Sequence, residues 1–204
     1  MRCTTDKYED LYARWLEKPA KLLDWASGPP IRGPVLDLCG GTGAVAKLTS
    51  DLEMETYLLD LNPRCDDPCV TQVKGRAETA NFNPQLKGVP FQTVICRQAL
   101  GYLMLDSVSD AVYDLLEPGG SFLFNNFAKP RWKASTYKHG GSRFAEASAY
   151  VGRHVFHVQL GIGIGIDVTH FRWHSHDYVM STFESKFDVR YENRGRSYRY
   201  QCVK

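Results

Sequence analysis

The run Val35-Leu36-Asp37-Leu38-Cys39-Gly40-Gly41-Thr42-Gly43 constrains the fold more than any other stretch of this chain. A short apolar segment that ends beside an acid and breaks into glycines reads as a buried strand and a tight turn. Ala44-Val45-Ala46-Lys47-Leu48 then starts a helix. Strand, glycine turn and helix in that order belong to α/β folds, where such a turn lets backbone approach a ligand closely. Two phosphate-binding loops fit poorly. A triphosphatase loop needs Lys followed by Ser or Thr at the helix start, where this chain has Ala44-Val45. A dinucleotide loop needs a third glycine, and Gly41-Thr42-Gly43 leads into none.

A second apolar run, Thr56-Tyr57-Leu58-Leu59-Asp60, again ends in an acid, 23 residues after Asp37. An acid about 20 residues beyond a glycine turn can hold ribose hydroxyls, so Asp60 is a cofactor contact. Thr71–Lys74 and Phe91–Cys96 read as the third and fourth strands. Between the second and third, Asn62-Pro63-Arg64-Cys65-Asp66-Asp67-Pro68 carries two prolines, and the crossover helix expected there is short or missing.

The pattern Asp37-x-Cys39-x-Gly41-x-Gly43 resembles the first motif of class I S-adenosylmethionine-dependent methyltransferases, usually Asp-x-Gly-x-Gly-x-Gly, with Cys39 at the first glycine. The resemblance implies an α/β fold, a Rossmann-like seven-stranded mixed sheet with helices on both faces. It implies S-adenosylmethionine as cofactor, S-adenosylhomocysteine as product, and methyl transfer to an O or N nucleophile of a small molecule. Asp37, Cys39, Gly40, Gly41 and Gly43 would then surround the methionine and ribose, Asp60 would hold the ribose, and Leu61 would border the adenine. Gly75-Arg76-Ala77-Glu78 resembles the family's Gly-Asp-Ala-Glu, which places Arg76 and the Ala77 backbone at the adenine. Arg76 can stack there, but a guanidinium cannot accept the adenine amino proton.

Arg97-Gln98-Ala99-Leu100-Gly101-Tyr102-Leu103 is similar to the family's segment after the fourth strand, with Arg97 and Gln98 facing cofactor and Tyr102 facing acceptor. Ala111–Gly120 resembles the helix and Pro-Gly-Gly turn that precede a fifth strand, here Ser121–Phe124. The resemblance covers residues 35–125, the cofactor-binding half. Tyr8, Leu11, Tyr12 and Trp15 share one side of a helix. The family places lid helices at 1–30, with Tyr8 and Tyr12 as substrate-side residues. The Asp/Asn-Pro-Pro-aromatic exit of DNA amino methyltransferases is missing. Cys96 follows Val94-Ile95, so it reads as buried strand rather than a cytosine-attacking nucleophile.

Residues 126–204 form the substrate-side half. Residues 153–160 and 166–173 alternate as two strands around Gly161-Ile162-Gly163-Ile164-Gly165, a small β-hairpin cap. Asp177–Lys186 reads as a helix, and Phe187–Glu192 with Ser197–Val203 as a closing antiparallel pair. All six histidines lie in this last third. A histidine suits a general base near neutral pH, and His170 and His157 are the catalytic candidates. Arg172, between Phe171 and Trp173, offers an anion contact. No metal site is expected, and Cys65-x-x-x-Cys69, the one close cysteine pair, reads as solvated loop thiols.

At 204 residues the chain suits one domain, 1–204. It has no run of about 18 apolar residues that could span a membrane. Six scattered cysteines suit reduced thiols, and Met1–Asp6 lacks a signal-peptide core, so a cytoplasmic monomer or homodimer is expected. Residues 1–120 carry 12 basic and 17 acidic groups, net −5, and residues 121–204 carry 13 and 6, net +7. A basic half suits an anionic small acceptor. It leaves open a second reading, an RNA methyltransferase, and a third, a non-catalytic S-adenosylmethionine-binding protein.

Overall fold

The computed structural model describes residues 31–127, 174–195 and 197–204. Three central strands are short, mainly apolar runs, as segments covered on both faces must be: β1 (Val35–Leu38), β2 (Thr56–Asp60) and β4 (Phe91–Cys96), while β3 (Val70–Lys74), at the sheet edge, buries only Val70 and Val73. They are followed by β5 (Leu116–Phe127), β6 (Asp188–Asn193) and β7 (Ser197–Val203). The seven strands form one sheet in the order β3-β2-β1-β4-β5-β7-β6. The first five are parallel, and β7 runs antiparallel to both β5 and β6. Chain order reverses between β1 and β4, so a crevice opens at the carboxyl ends of these strands, where ligands of open α/β sheets bind.

Side chains alternate between the two faces. On one face α1 (Ala44–Asp51) covers Val35, Ile95 and Leu123 through Ala44 and Val45, and Leu58 and Val70 through Ala46. On the other face α2 (Leu105–Leu115), α3 (His176–Glu184) and a 3-10 turn at Ala77–Phe82 cover the larger core. Leu36, Leu38, Val94 and Phe122 are each 0% exposed there. Phe124 and Phe183 lie with ring centroids 4.9 Å apart and tie α3 to β5. Truncating a phenylalanine so placed costs about 3 to 5 kcal/mol.

The fifth strand is longer than the expected Ser121–Phe124. Its register against β4 jumps from Phe91↔Leu116 to Thr93↔Ser121, so the Pro-Gly-Gly turn survives as a bulge within the strand, with Gly119 at φ 81°. The carboxyl end of α2 is satisfied by Lys204, whose Nζ donates to the Tyr113 and Leu116 carbonyls at 2.7 and 2.6 Å. As the prolines of 62–68 suggested, no helix joins β2 to β3. Nine residues make that parallel connection, where a crossover ordinarily takes about a dozen or more. No described helix is long and apolar enough to cross a membrane.

Candidate functional site

The crevice floor begins at Asp37, which is 1% exposed on the α1 side of β1. Its Oδ2 accepts the Ala46 N–H at 3.1 Å. The Ala46 N–H is one of the amides that a helix start leaves without a partner, and Gly43 before the helix has no side chain to cap it, so Asp37 does so from beneath. Asp37 Oδ1 is buried without a hydrogen-bond partner. Burial first of all, with the Asp60 charge adding, pushes the Asp37 carboxyl up to about 7. The Ala46 N–H and the Arg97 charge oppose that rise.

Each residue of the turn has its own constraint. Cys39 holds φ 60° in the left-handed region that glycine ordinarily fills, and its N–H donates to the Leu59 carbonyl at 2.7 Å. Its half-buried thiol lies against the α2-side core and hydrogen-bonds with Cys96; that bond and burial hold it well above the ordinary thiol range. The one departure from the glycine pattern therefore turns its side chain into the protein. Gly40 is glycine for space: a Cβ there would stand 2.2 Å from Asp37 Oδ2 and 2.4 Å from Leu58 Cδ1. Gly41, at φ 58°, faces open space, with nothing within 4 Å of an added Cβ.

Asp60 ends β2 directly beside this turn. Its Oδ2 accepts the Gly41 N–H at 3.1 Å and its Oδ1 the Asn62 N–H at 2.9 Å, which leaves lone pairs on both oxygens. Leu61 is 64% exposed at the same edge. Arg76 precedes the 3-10 turn with its side chain 71% exposed and its Nε 3.8 Å from Glu78, whereas Ala77 is buried. At the β4 exit Gln98 has φ 59°, a conformation disfavoured for a side-chain-bearing residue, and the Asn125 carboxamide on β5 pins it by accepting its N–H at 2.9 Å. Tyr102 is 48% exposed beyond it.

The structure thus gathers Asp37, Cys39, Gly40, Gly41, Gly43 and Asp60 at one crevice and lines Leu61, Arg76, Ala77, Arg97, Gln98 and Tyr102 along the neighbouring strand exits. Tyr8, Tyr12, His157, His170, Arg172, the lid helices and the 153–173 hairpin lie outside the described residues. Cys69 is exposed, as expected of a loop thiol. Cys65 is not a solvated thiol: it is half buried, with its Cβ and Sγ against Gly43. Among the described residues no group of three His, Cys, Asp or Glu converges on a metal position.

Sequence reasoning missed the polar cluster beside β5. Asn126 Nδ2 donates to the His174 carbonyl at 2.7 Å, and the His174 Nε2 meets the Leu100 carbonyl at 3.2 Å, which fixes its proton on that nitrogen. His176 lies among Tyr191, Tyr198 and Tyr200, with Nδ1 2.8 Å from the Tyr200 hydroxyl. Only the alternation Tyr198-x-Tyr200, which puts both rings on one face of β7, hinted at it.

No protein-family model matches the chain, and no curated protein does in a sequence search. Solved structures do match its fold. An O-methyltransferase family protein from Burkholderia thailandensis aligns at TM-score 0.62 and 15% identity over 99% of this chain. This chain spans only 60% of that protein's length. A possible histamine N-methyltransferase from Thermotoga maritima aligns at TM-score 0.59 and 15% identity, over 98% of this chain and 95% of its own. Magnesium protoporphyrin IX methyltransferase from Synechocystis PCC 6803, solved with bound S-adenosylhomocysteine, aligns at 0.55 and 15%, over 93% and 83%. The chain has the Rossmann-like fold of class I S-adenosylmethionine-dependent methyltransferases.

Proposed function

We propose that this protein is an S-adenosylmethionine-dependent methyltransferase acting on an O or N nucleophile of a small molecule. The observation that carries the reading is the pair of carboxylates flanking an open glycine turn at the topological switch point. The orphaned Oδ1 of Asp37 and the lone pairs left on Asp60 fit a ligand with a cationic amino acid at one end and a ribose at the other, and Gly41 leaves room between them. Bound there, the cofactor would supply an electrophilic methyl on sulfur.

The residues of the chain then have separate tasks. Asp37 balances the ammonium charge across the turn, Asp60 receives the ribose hydroxyls, and Leu61 and Ala77 border the adenine. Gln98, held by Asn125, fixes the wall between cofactor and acceptor, where holding a nucleophile at about 3 to 3.5 Å in line supplies much of the rate. A histidine takes the acceptor proton: His170 and His157 on the sequence argument, or His176, the described histidine paired with a hydroxyl. The fold neighbours cited above include magnesium protoporphyrin IX methyltransferase, whose named acceptor is a small molecule.

An RNA substrate draws less support. Of the basic side chains described in the last third, Arg190 pairs with Asp188 at 3.1 Å, Arg194 with Glu192 at 2.8 Å, Lys186 with Asp110, and Lys204 caps α2. Pairing of this kind neutralises the field a phosphate backbone would need. The test is methyl transfer from tritiated S-adenosylmethionine to a panel of small amines, phenols and carboxylates, with RNA alongside. Label in a small product at a rate indifferent to salt supports the reading. Label in RNA that falls steeply with salt overturns it.

A further inference from the structure

The missing helix between β2 and β3 leaves the α1 face of those strands without its usual cover, and a side chain on β3 takes over part of that work. Gln72 points to the α1 face beside Leu58, its register partner. Its carboxamide bonds both backbone groups of one residue in the crossover: Oε1 accepts the Cys65 N–H at 2.9 Å, and Nε2 donates to the Cys65 carbonyl at 2.8 Å. The amide thus acts as one rung of a strand that is not there. So held, Cys65 sits over the glycine turn, with Cβ and Sγ 2.7 and 2.8 Å from where a Gly43 Cβ would be, and Sγ 4.0 Å from the Gly43 carbonyl. It also packs on the cluster of Ala46, Leu58 and Val70. The preceding Arg64 N–H donates to the Gly41 carbonyl at 3.0 Å. Gly41 is therefore gripped at both ends, by Asp60 on its N–H and by the crossover on its carbonyl.

We propose that Gln72 is a positioning residue for the cofactor: through Cys65 and Arg64 it holds the Gly41–Gly43 backbone in the shape that receives the nucleoside. The inference rests on the cofactor reading given under the proposed function. The reason is geometric. A nine-residue crossover without a helix lacks the internal hydrogen bonds a helix would supply, and glycines at φ 58° and 74° leave the turn many other conformations unless something closes them off. Binding to a turn that is only fractionally in the competent shape is weakened by that fraction.

The test is calorimetric titration of the full chain with S-adenosylhomocysteine in wild type, Gln72→Met and Gln72→Glu, with Thr71→Ala as a control on the opposite face of β3. Methionine keeps the volume and removes both bonds, whereas glutamate keeps the acceptor for the Cys65 N–H. The expected result is about a tenfold rise in Kd for Gln72→Met, a smaller rise for Gln72→Glu, and no change for Thr71→Ala, since two exposed hydrogen bonds are at stake. Amide hydrogen exchange at Gly41 and Gly43, read by NMR, should quicken in Gln72→Met while β4 and β5 amides keep their protection. A Kd for Gln72→Met within twofold of wild type overturns the inference, and if that variant fails to fold, an unchanged Kd in Gln72→Glu does so. Wild type that binds no S-adenosylhomocysteine overturns the cofactor reading itself.

Discussion

Asp37→Asn tests the electrostatics of the crevice floor. Burial holds the Asp37 carboxyl at about 7, against an ordinary 3.8. A separation of about three pH units corresponds to about 4 kcal/mol at about 1.36 kcal/mol each. Because the folded-state value is the raised one, its stability contribution is fully present below about pH 4, where the carboxyl is neutral in both states. It is lost as pH rises toward about 7, where the unfolded chain ionises freely and the folded one resists. Between about pH 5 and about pH 8 the wild type should lose about 2 to 3 kcal/mol relative to Asp37→Asn, whose amide oxygen can still cap Ala46. Urea unfolding of both proteins at the two pH values measures this. Parallel pH dependences would refute the assignment of the raised value to Asp37. The same charge couples to ligand. An ammonium brought near Asp37 lowers its proton affinity, so S-adenosylhomocysteine binding near about pH 6.5 should release a fraction of a proton. Calorimetry in two buffers of different ionisation enthalpy would detect the release in wild type and find none in Asp37→Asn.

The glycines of the turn separate stability from binding. Gly40→Ala forces a Cβ to within 2.2 Å of Asp37 Oδ2 and should lower the unfolding free energy by about 2 to 3 kcal/mol. Gly41→Ala meets only open space, so thermal denaturation should show a loss of about 1 to 2 kcal/mol from its left-handed backbone, while S-adenosylhomocysteine affinity falls more than tenfold. Asp60→Ala should abolish measurable S-adenosylhomocysteine binding in equilibrium dialysis, because it removes the proposed ribose acceptor and frees the Gly41 N–H together. Cys39→Gly should leave affinity within about twofold, since the Cys39 side chain already points into the protein and glycine suits φ 60°; a large loss would mean that the thiol faces the ligand.

The parallel half of the fold was legible because each central strand is an apolar run closed by a turn residue, and because Asp37 and Asp60 follow two such runs at nucleoside-binding spacing. β4 and β7 fall on the predicted residues, and Pro63 and Pro68 announced the missing helix. The start of α2 at Leu105 was not read, since Leu103-Met104-Leu105 carries no capping side chain to mark it. Nor were the roles of Cys65 and Gln72. A cysteine among acids and prolines has no local reason to be buried, and Gln72 alternates outward in sequence; only the register of β3 beside β2 brings its amide over the crossover. The polar cluster of Asn126, His174, His176 and Tyr200 has the same origin, being assembled where β7 pairs with β5 and the start of α3 lies against both, from residues 24 to 74 positions apart. Of the turn itself, the sequence identified which residues are glycine but not why, and the structure divides them into those needed for space and those needed for conformation.

The most direct test of the central claim is the thermal unfolding midpoint of the purified protein titrated with S-adenosylmethionine and, separately, with S-adenosylhomocysteine. A midpoint that climbs by several degrees with either ligand, continues to rise with concentration as linkage requires, and stays flat in Asp60→Ala is the expected result. A folded wild-type protein whose midpoint does not move at millimolar ligand would contradict the assignment of this crevice to that cofactor.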